Sequence, residues 1–229
     1  MDTASADILR PMLHQMGELH QVLVMYGCGI REVQTKLEIL TDEFQGKQHR
    51  SPIDSVKSRV KDPKSIARKL AGKGLEVSVD SAVRNLNDLA GVRVVCPFID
   101  DIYFVADSLL VQDDVTLIER EDYIAEPKPT GYRSLHLVVE VPVFFSDRKQ
   151  PVRIEVQIRT IAMNFWACLE EEIFYKRNLM DSQAIGRELK ECADISSHTD
   201  LRMQNIHQQL RPASHTRRTL PDRGQRWAH

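Results

Sequence analysis

The chain lacks the features that would place it in several large functional classes. No apolar run approaches the roughly 20 residues that a helix needs to cross a bilayer, so a membrane-spanning helix is excluded. The opening residues, MDTASADILRPM, carry no basic stretch leading into an apolar one and do not read as a secretory signal. A cytoplasmic location is therefore expected. Aromatic residues make up only 6%, and the four cysteines, Cys28, Cys96, Cys168 and Cys192, are scattered without a CxxC pair or a neighbouring histidine cluster. That spacing argues against a zinc site and for reduced, mostly buried thiols. Net charge is small as well: 31 Lys and Arg face 33 Asp and Glu, a formal −2, which argues against generic coating of nucleic acid. There is no GxxxxGKS loop, no GxGxxG after a strand and no GxSxG elbow. P-loop, dinucleotide-binding and Ser/His/Asp hydrolase chemistry are all left without support.

What is present suits one globular domain with a helical appendage: 229 residues, 42% hydrophobic and 28% charged. From Leu9 to Phe44 apolar residues recur at 9, 12, 16, 19, 23, 26, 30, 33, 37, 40 and 44, a helical stripe. Gly27 and Gly29 interrupt it, each at about 1 kcal/mol relative to alanine, and mark a point where the helix is expected to kink or split. The stripe has a face to bury, either on its own domain or against another subunit.

Charge is segregated along the chain. Lys57, Arg59, Lys61, Lys64, Arg68, Lys69 and Lys73 surround a single acid, Asp62, whereas residues 100 to 126 set nine acids against Arg120. Asp62 followed by Pro63 is a helix start, with Asp as cap and Pro at the first helical position. Alternation points residues 57, 59 and 61 one way, and Lys64 and Arg68 share a helix face. The segments AGVRVVCPF, VTLIERE, SLHLVVEVPVFF and PVRIEVQIRT read as strands, and DDIYFVADSLLVQ between the first two reads as a helix. A helix is expected from Thr160, with Ala162, Trp166, Leu169 and Ile173 lining one side. A last helix near 183 to 210 would align Ile185, Leu189, Cys192, Met203, Ile206 and Leu210, and the arginine-rich tail after it reads as disordered.

Strand RIEVQIR puts Arg153, Glu155, Gln157 and Arg159 on one face and Ile154, Val156 and Ile158 on the other. In KPTGYRSLH, Pro129 and Gly131 sit where a type I turn wants them, which presents Tyr132 at the mouth of the next strand, beside Lys128, Arg133 and His136. Tyr132 is either a surface ring or a platform for a base, and the three donors suit phosphate or ribose oxygens. Asp88, just before a strand in NLNDLAGVRVV, sits at the sheet edge either as a turn residue or as a ligand for magnesium, which favours one or two carboxylates plus substrate phosphates. With Glu155 at the end of another strand it would form a metal pole facing the basic run.

Taken in order and spacing, SRVKDPKSIARKL, NDLAGVRVV, KPTGYRSLH and EVQIRTIAMNFWACLE resemble the synthetase domain of the RelA/SpoT-homologous family, over about Lys36 to Asn178. With no His-Asp dipeptide and no hydrolase region, the chain looks like a stand-alone small alarmone synthetase. The resemblance implies an α+β fold, a mixed nucleotidyltransferase-like sheet flanked by helices, with long terminal helices. It divides the chain into a helical segment at 1–45, a catalytic domain at 46–180, a helix at 181–210 and a tail at 211–229. It implies transfer of pyrophosphate from ATP to the 3′-hydroxyl of GTP or GDP, releasing AMP, as in the stringent response, with GMP as a further candidate acceptor. Carried onto matching positions, Asp88 and Glu155 would hold Mg²⁺ and Glu155 would act as general base. Arg59 and Arg93 would sandwich adenine, with Lys61, Ser65 and Lys69 along the donor phosphates. Tyr132 would stack on guanine, while Lys128, His136, Gln157 and Asn164 bind the rest of the acceptor nucleotide.

Two positions depart from the pattern. Relatives often place a histidine where this chain has Glu171, and SPIDSVK lacks the aromatic and threonine with which tetrameric members bind an activating alarmone. A homotetramer is thus expected by analogy alone, and neither a membrane nor a stable nucleic-acid partner is expected. Two other functions stay open: pyrophosphate transfer to the 3′ end of tRNA, and a catalytically silent nucleotide-binding scaffold.

Overall fold

Alternation of side chains builds the centre of the molecule. The computed structural model describes the backbone of residues 3–48, 50–175 and 182–210, and the side chains of 16–47, 50–173 and 183–210. Five strands, β1 (Ser55–Val60), β2 (Ala90–Cys96), β3 (Thr116–Asp122), β4 (Leu135–Phe144) and β5 (Lys149–Thr160), form one sheet in the order β1-β2-β5-β4-β3. The pairing of β2 with β5 is parallel and the other three are antiparallel, so the sheet is mixed and the fold is α+β. Even positions of β2 and β5 and odd positions of β4 (Val92, Val94, Val152, Ile154, Val156, Ile158, Leu135, Leu137 and Val139) are all buried on one face. The opposite face keeps its charges.

Helix α1 (Thr3–Gln48) and α4 (Ile99–Leu110) pack on the apolar face. Tyr26, Ile30, Val33, Leu37, Leu40 and Phe44 are buried, so this half of the stripe lies against its own domain, whereas Met16 is exposed. Leu9 and Met12 fall outside the described side chains. The helix is one continuous element through both glycines. Gly29 has a packing reason: a Cβ there would lie 2.8 Å from Val152 Cγ1 and 3.0 Å from Ile154 Cδ1, so only glycine lets the helix touch β5 this closely. Just beyond α1, Arg50 donates two hydrogen bonds, at 2.9 and 2.7 Å, to the buried Asp101 of α4.

The basic run folds as its capping residues dictate. Asp62 caps α2 (Pro63–Gly72) by accepting from the Ser65 amide, and Pro63 opens the helix. A short helix that periodicity did not reveal, α3 (Val79–Asn85), is capped by Ser78. β5 begins at Lys149, earlier than expected, which places Glu155 in mid-strand rather than at an end.

Two amphipathic assignments are corrected. In α5 (Ile161–Tyr175) the buried side is Met163, Trp166 and Ala167, while Leu169 is exposed, because Thr160 leads into the helix directly from β5 and turns residue 163 to the sheet. In α6 (Ser182–Leu210) the buried residues are Ala193, Asp200 and Gln204, and Cys192, Met203, Ile206 and Leu210 face outward. Polar anchors select that side: Thr160 Oγ1 donates to Asp200, Trp166 Nε1 to the Leu189 carbonyl, and Gln204 exchanges hydrogen bonds with Asp100.

The two interrupting glycines should separate in a melting experiment. A methyl group added at Gly27 would have nothing within 4 Å, so Gly27→Ala should gain up to about 1 kcal/mol of helix propensity. Gly29→Ala gains the same but must displace Val152, an overpacking penalty of about 1–3 kcal/mol, and should lower the melting temperature.

Candidate active site

The uncovered face of the sheet carries two cavities, of about 330 and 260 Å³, that share Asp88 and Glu155. Lys57, Ser58, Arg59, Lys61, Arg93, Gln157 and Glu171 line the first, and Lys69, Lys73, Asn87, Glu119, Glu121 and His136 line the second. The register explains the meeting of the acids. Gly91 of β2 pairs with Glu155 of β5, so Asp88, three residues upstream, arrives beside the middle of the central strand.

Lys61 Nζ and Lys69 Nζ both donate to Asp88 Oδ2, at 2.5 and 2.6 Å. Burial pushes the Asp88 carboxyl up, but the hydrogen bonds and charges of the two lysines outweigh it and hold the group below its ordinary range. The other oxygen, Oδ1, is buried without a hydrogen-bond partner. Glu155 shows the same balance. Burial raises it, while His136 Nδ1, 3.3 Å from Oε1, and the Gln157 amide, 2.9 Å from Oε2, outweigh burial and keep the carboxyl ionised. Asp88 is near enough for its charge to act on Glu155.

The turn before β4 forms as its residues require: the Gly131 amide donates to the Lys128 carbonyl at 2.8 Å. Gly131 has φ +90°, and a Cβ there would meet Ala193 Cβ at 2.5 Å, so α6 packs directly on the turn. Arg133 adds hydrogen bonds to the Ala193 carbonyl and Asp194. Tyr132 is held by its hydroxyl, which accepts from Arg159 Nη2 at 2.5 Å and lies 2.8 Å from His136 Nε2. Lys128 Nζ sits 5.3 Å from the Tyr132 ring centroid and 4.2 Å from that of Tyr123.

The cavities thus gather Arg59, Lys61, Lys69, Asp88, Arg93, His136, Glu155 and Gln157. Tyr132 joins them through His136 and Arg159, and Lys128 through the Tyr132 ring, rather than by lining either cavity. Asn164 lies on α5 with its Oδ1 3.8 Å from Cys168 Sγ, and that thiol is 3.7 Å from Arg93 Nη1. Ser65 lines neither cavity; it stands in the first turn of α2 with its amide taken by Asp62. Lys64 and Arg68 are likewise absent from both linings, since Lys61 and Lys69 are the pair that points to Asp88. Glu171, where the family pattern has histidine, reaches Arg59 at 3.9 Å across the mouth of the first cavity. The residue to which sequence reasoning gave no role in the site is Arg159. Its two-residue spacing from Glu155 and Gln157 was the available signal.

Two acids converge here from separate elements, ringed by cations and flanked by an aromatic turn, a charge pattern suited to a polyphosphate on a mixed sheet. The comparisons agree with that class. A family model described as the region found in RelA / SpoT proteins matches residues 58–180. The GTP pyrophosphokinase YwaC of Bacillus subtilis (strain 168) is 42% identical over 188 residues, covering 82% of this chain and 90% of its own. Among solved structures, small alarmone synthetase 1 of Bacillus subtilis bound to its product pppGpp superposes with a TM-score of 0.79 at 34% identity, over 85% of this chain and 98% of that one. Small alarmone synthetase 2 of the same species gives 0.77 at 40% identity, over 84% and 100%. The chain belongs to the RelA/SpoT family.

Asp88 supplies a pH test of the lysine clamp. Its folded pKa lies below the ordinary 3.8, so the stabilisation is complete above 3.8 and is lost as pH falls through the folded value. Lys61→Met should therefore melt lower near neutral pH, by roughly 1 kcal/mol for a partly screened charge-assisted hydrogen bond. The difference from wild type should shrink as the pH is taken below 3.8; a constant offset across the titration would contradict the assignment.

Proposed function

We propose that this protein moves the terminal pyrophosphate of ATP to the 3′-hydroxyl of GTP or GDP, making (p)ppGpp and releasing AMP, as a cytoplasmic enzyme of the stringent response. The observation that carries the reading is the shared wall: Asp88 and Glu155 stand between a cavity lined by Lys57, Arg59, Lys61 and Arg93 and one lined by Lys69, Lys73 and His136. A donor polyphosphate and an acceptor hydroxyl can meet across that wall.

Mg²⁺ fits this chemistry on a structural ground. Asp88 Oδ1 is a buried carboxylate oxygen with no protein donor, and Glu155 brings a second hard oxygen ligand to the same place. Asp88 and Glu155 would hold Mg²⁺, which would supply charge neutralisation on the phosphoryl oxygens.

The chain's own residues do the rest. Lys61 and Lys69 take donor phosphate oxygens, and Arg59 and Arg93, both lining the first cavity, close on the adenine. Tyr132 offers its ring to guanine, with Lys128, His136, Gln157 and Asn164 holding the remainder of the acceptor; Ser65 stands with Lys61 and Lys69 along the donor phosphates. Glu155, ionised at neutral pH, accepts the proton of the 3′-hydroxyl as oxygen attacks the β-phosphorus in line and AMP departs. Its depressed basicity makes charge neutralisation the larger contribution. The exposed Ile195, Leu201, Met203, Ile206 and Leu210 of α6 support assembly into a homo-oligomer, a tetramer by family analogy.

Labelled ATP incubated with GTP, GDP, GMP or tRNA, with products resolved chromatographically, tests the reaction and the acceptor together. A 3′-pyrophosphorylated guanosine nucleotide and equimolar AMP are expected. Label appearing on tRNA alone, or no AMP release at all, would overturn it. Glu155→Gln should remove turnover, by more than the roughly 10²–10⁴ of general-base help because a metal ligand changes too, while nucleotide binding by calorimetry persists.

A further inference from the structure

Arg159 is buried, 4% exposed, and makes no ion pair with an acid among the described residues. A guanidinium taken from water with no paired carboxylate, only the more distant charge of Glu170, is unfavourable unless its hydrogen bonds accomplish something a smaller residue could not. Its acceptors are all neutral: Tyr132 Oη at 2.5 Å, Gln157 Oε1 at 2.9 Å and Ser134 Oγ at 3.4 Å. Two of these are taken by the same nitrogen, Nη2. From there two arms lead to the two oxygens of Glu155.

An arginine only donates and an ionised carboxylate only accepts, and the two ends together set the direction of the bonds between them. Tyr132 Oη accepts from Arg159, so the phenol proton points to His136 Nε2 at 2.8 Å. His136 must then carry its hydrogen on Nδ1, which faces Glu155 Oε1 at 3.3 Å. In the second arm, Gln157 turns its Oε1 to Arg159, which leaves the amide nitrogen to donate to Glu155 Oε2 at 2.9 Å. Glu155 by itself draws a hydrogen on His136 Nδ1 and the amide nitrogen of Gln157, but without Arg159 the far ends of both arms, Tyr132 Oη and Gln157 Oε1, lose the donor that anchors them.

We infer that Arg159 is the positioning residue of the Glu155 carboxylate, fixing through Tyr132–His136 and through Gln157 a donor on each of its oxygens. The inference rests on the proposed role of Glu155 as base. The same fork ties the aromatic ring assigned to the acceptor base to the group that takes the acceptor's proton, so ring and carboxylate keep one relative placement.

The test pairs kinetics with a measurement independent of turnover. In wild type, long-range proton–nitrogen NMR of His136 should show the Nδ1–H tautomer, and Arg159→Met should shift its ring-nitrogen resonances as the Tyr132 hydroxyl loses its anchor. The same substitution should lower kcat roughly 100-fold, the scale of a misplaced catalytic group, with the KM for ATP within about twofold of wild type. Tyr132→Phe keeps the ring but cuts one arm and should cost less, roughly tenfold in kcat, because the Gln157 arm remains. Combining the two substitutions should lose less than the product of the separate losses, since they interrupt one path. Arg159→Lys keeps a cationic donor and should recover part of the rate. Unchanged His136 ring-nitrogen resonances in folded Arg159→Met, a kcat within about threefold of wild type, or strictly multiplicative losses would overturn the inference. If wild type itself makes no alarmone, the functional reading fails instead, and the His136 resonances still judge the fork.

Discussion

The parallel pairing of β2 with β5 is the contact on which the site depends. Antiparallel neighbours can be joined by a tight turn, but a parallel pair needs a long connection, here α4, β3 and β4. That detour allows residues 67 positions apart, Asp88 and Glu155, to arrive side by side. Gly91 opposite Glu155 fixes the register, and a one-residue slip would send Glu155 into the apolar layer and Val156 into the cavity. The apolar face beneath, clamped by α1 and α4, is what prevents the slip.

Electrostatics on this scaffold follow from the same placement. Both carboxylates sit where burial disfavours charge, and both are kept charged by specific neighbours: two lysines for Asp88, a histidine and an amide for Glu155. The partners differ in kind. Lysines give Asp88 a counter-charge, whereas Glu155 is held by two donors whose far ends are anchored on Arg159. The two acids are thus served by different side chains on one sheet face.

The C-terminal helix shows how function reaches beyond the sheet. α6 meets the Gly131 turn at Ala193, ties Arg133 to Asp194, and runs on to Asp100 at the start of α4. Asp200 and Gln204 face inward beside Leu189 and Ala193, whereas Ile195, Leu201, Met203, Ile206 and Leu210 face outward, unlike a helix whose apolar stripe closes a monomer's core. The same inversion explains why its periodicity misled: hydrophobic spacing reports which face is apolar, and here that face is the uncovered one.

Much was legible along the chain. The strands, the Asp62–Pro63 helix start, the Lys128–Gly131 turn and the inward and outward faces of RIEVQIR all follow from local rules of alternation, capping and turn geometry. The acids and cations of the site were legible too, because the motifs carrying them stand in a specific order. What no local rule contains is how distant pieces share space: that Gly29 lets α1 touch Val152, that Lys61 and Lys69 rather than Lys64 and Arg68 reach Asp88, and that Arg159 links Tyr132 to Glu155. Residue type and spacing determine which face a side chain takes, since that is a property of one backbone. Which groups meet is decided by the sheet order and by the packing of helices upon it, because contacts between remote segments exist only once the core has closed.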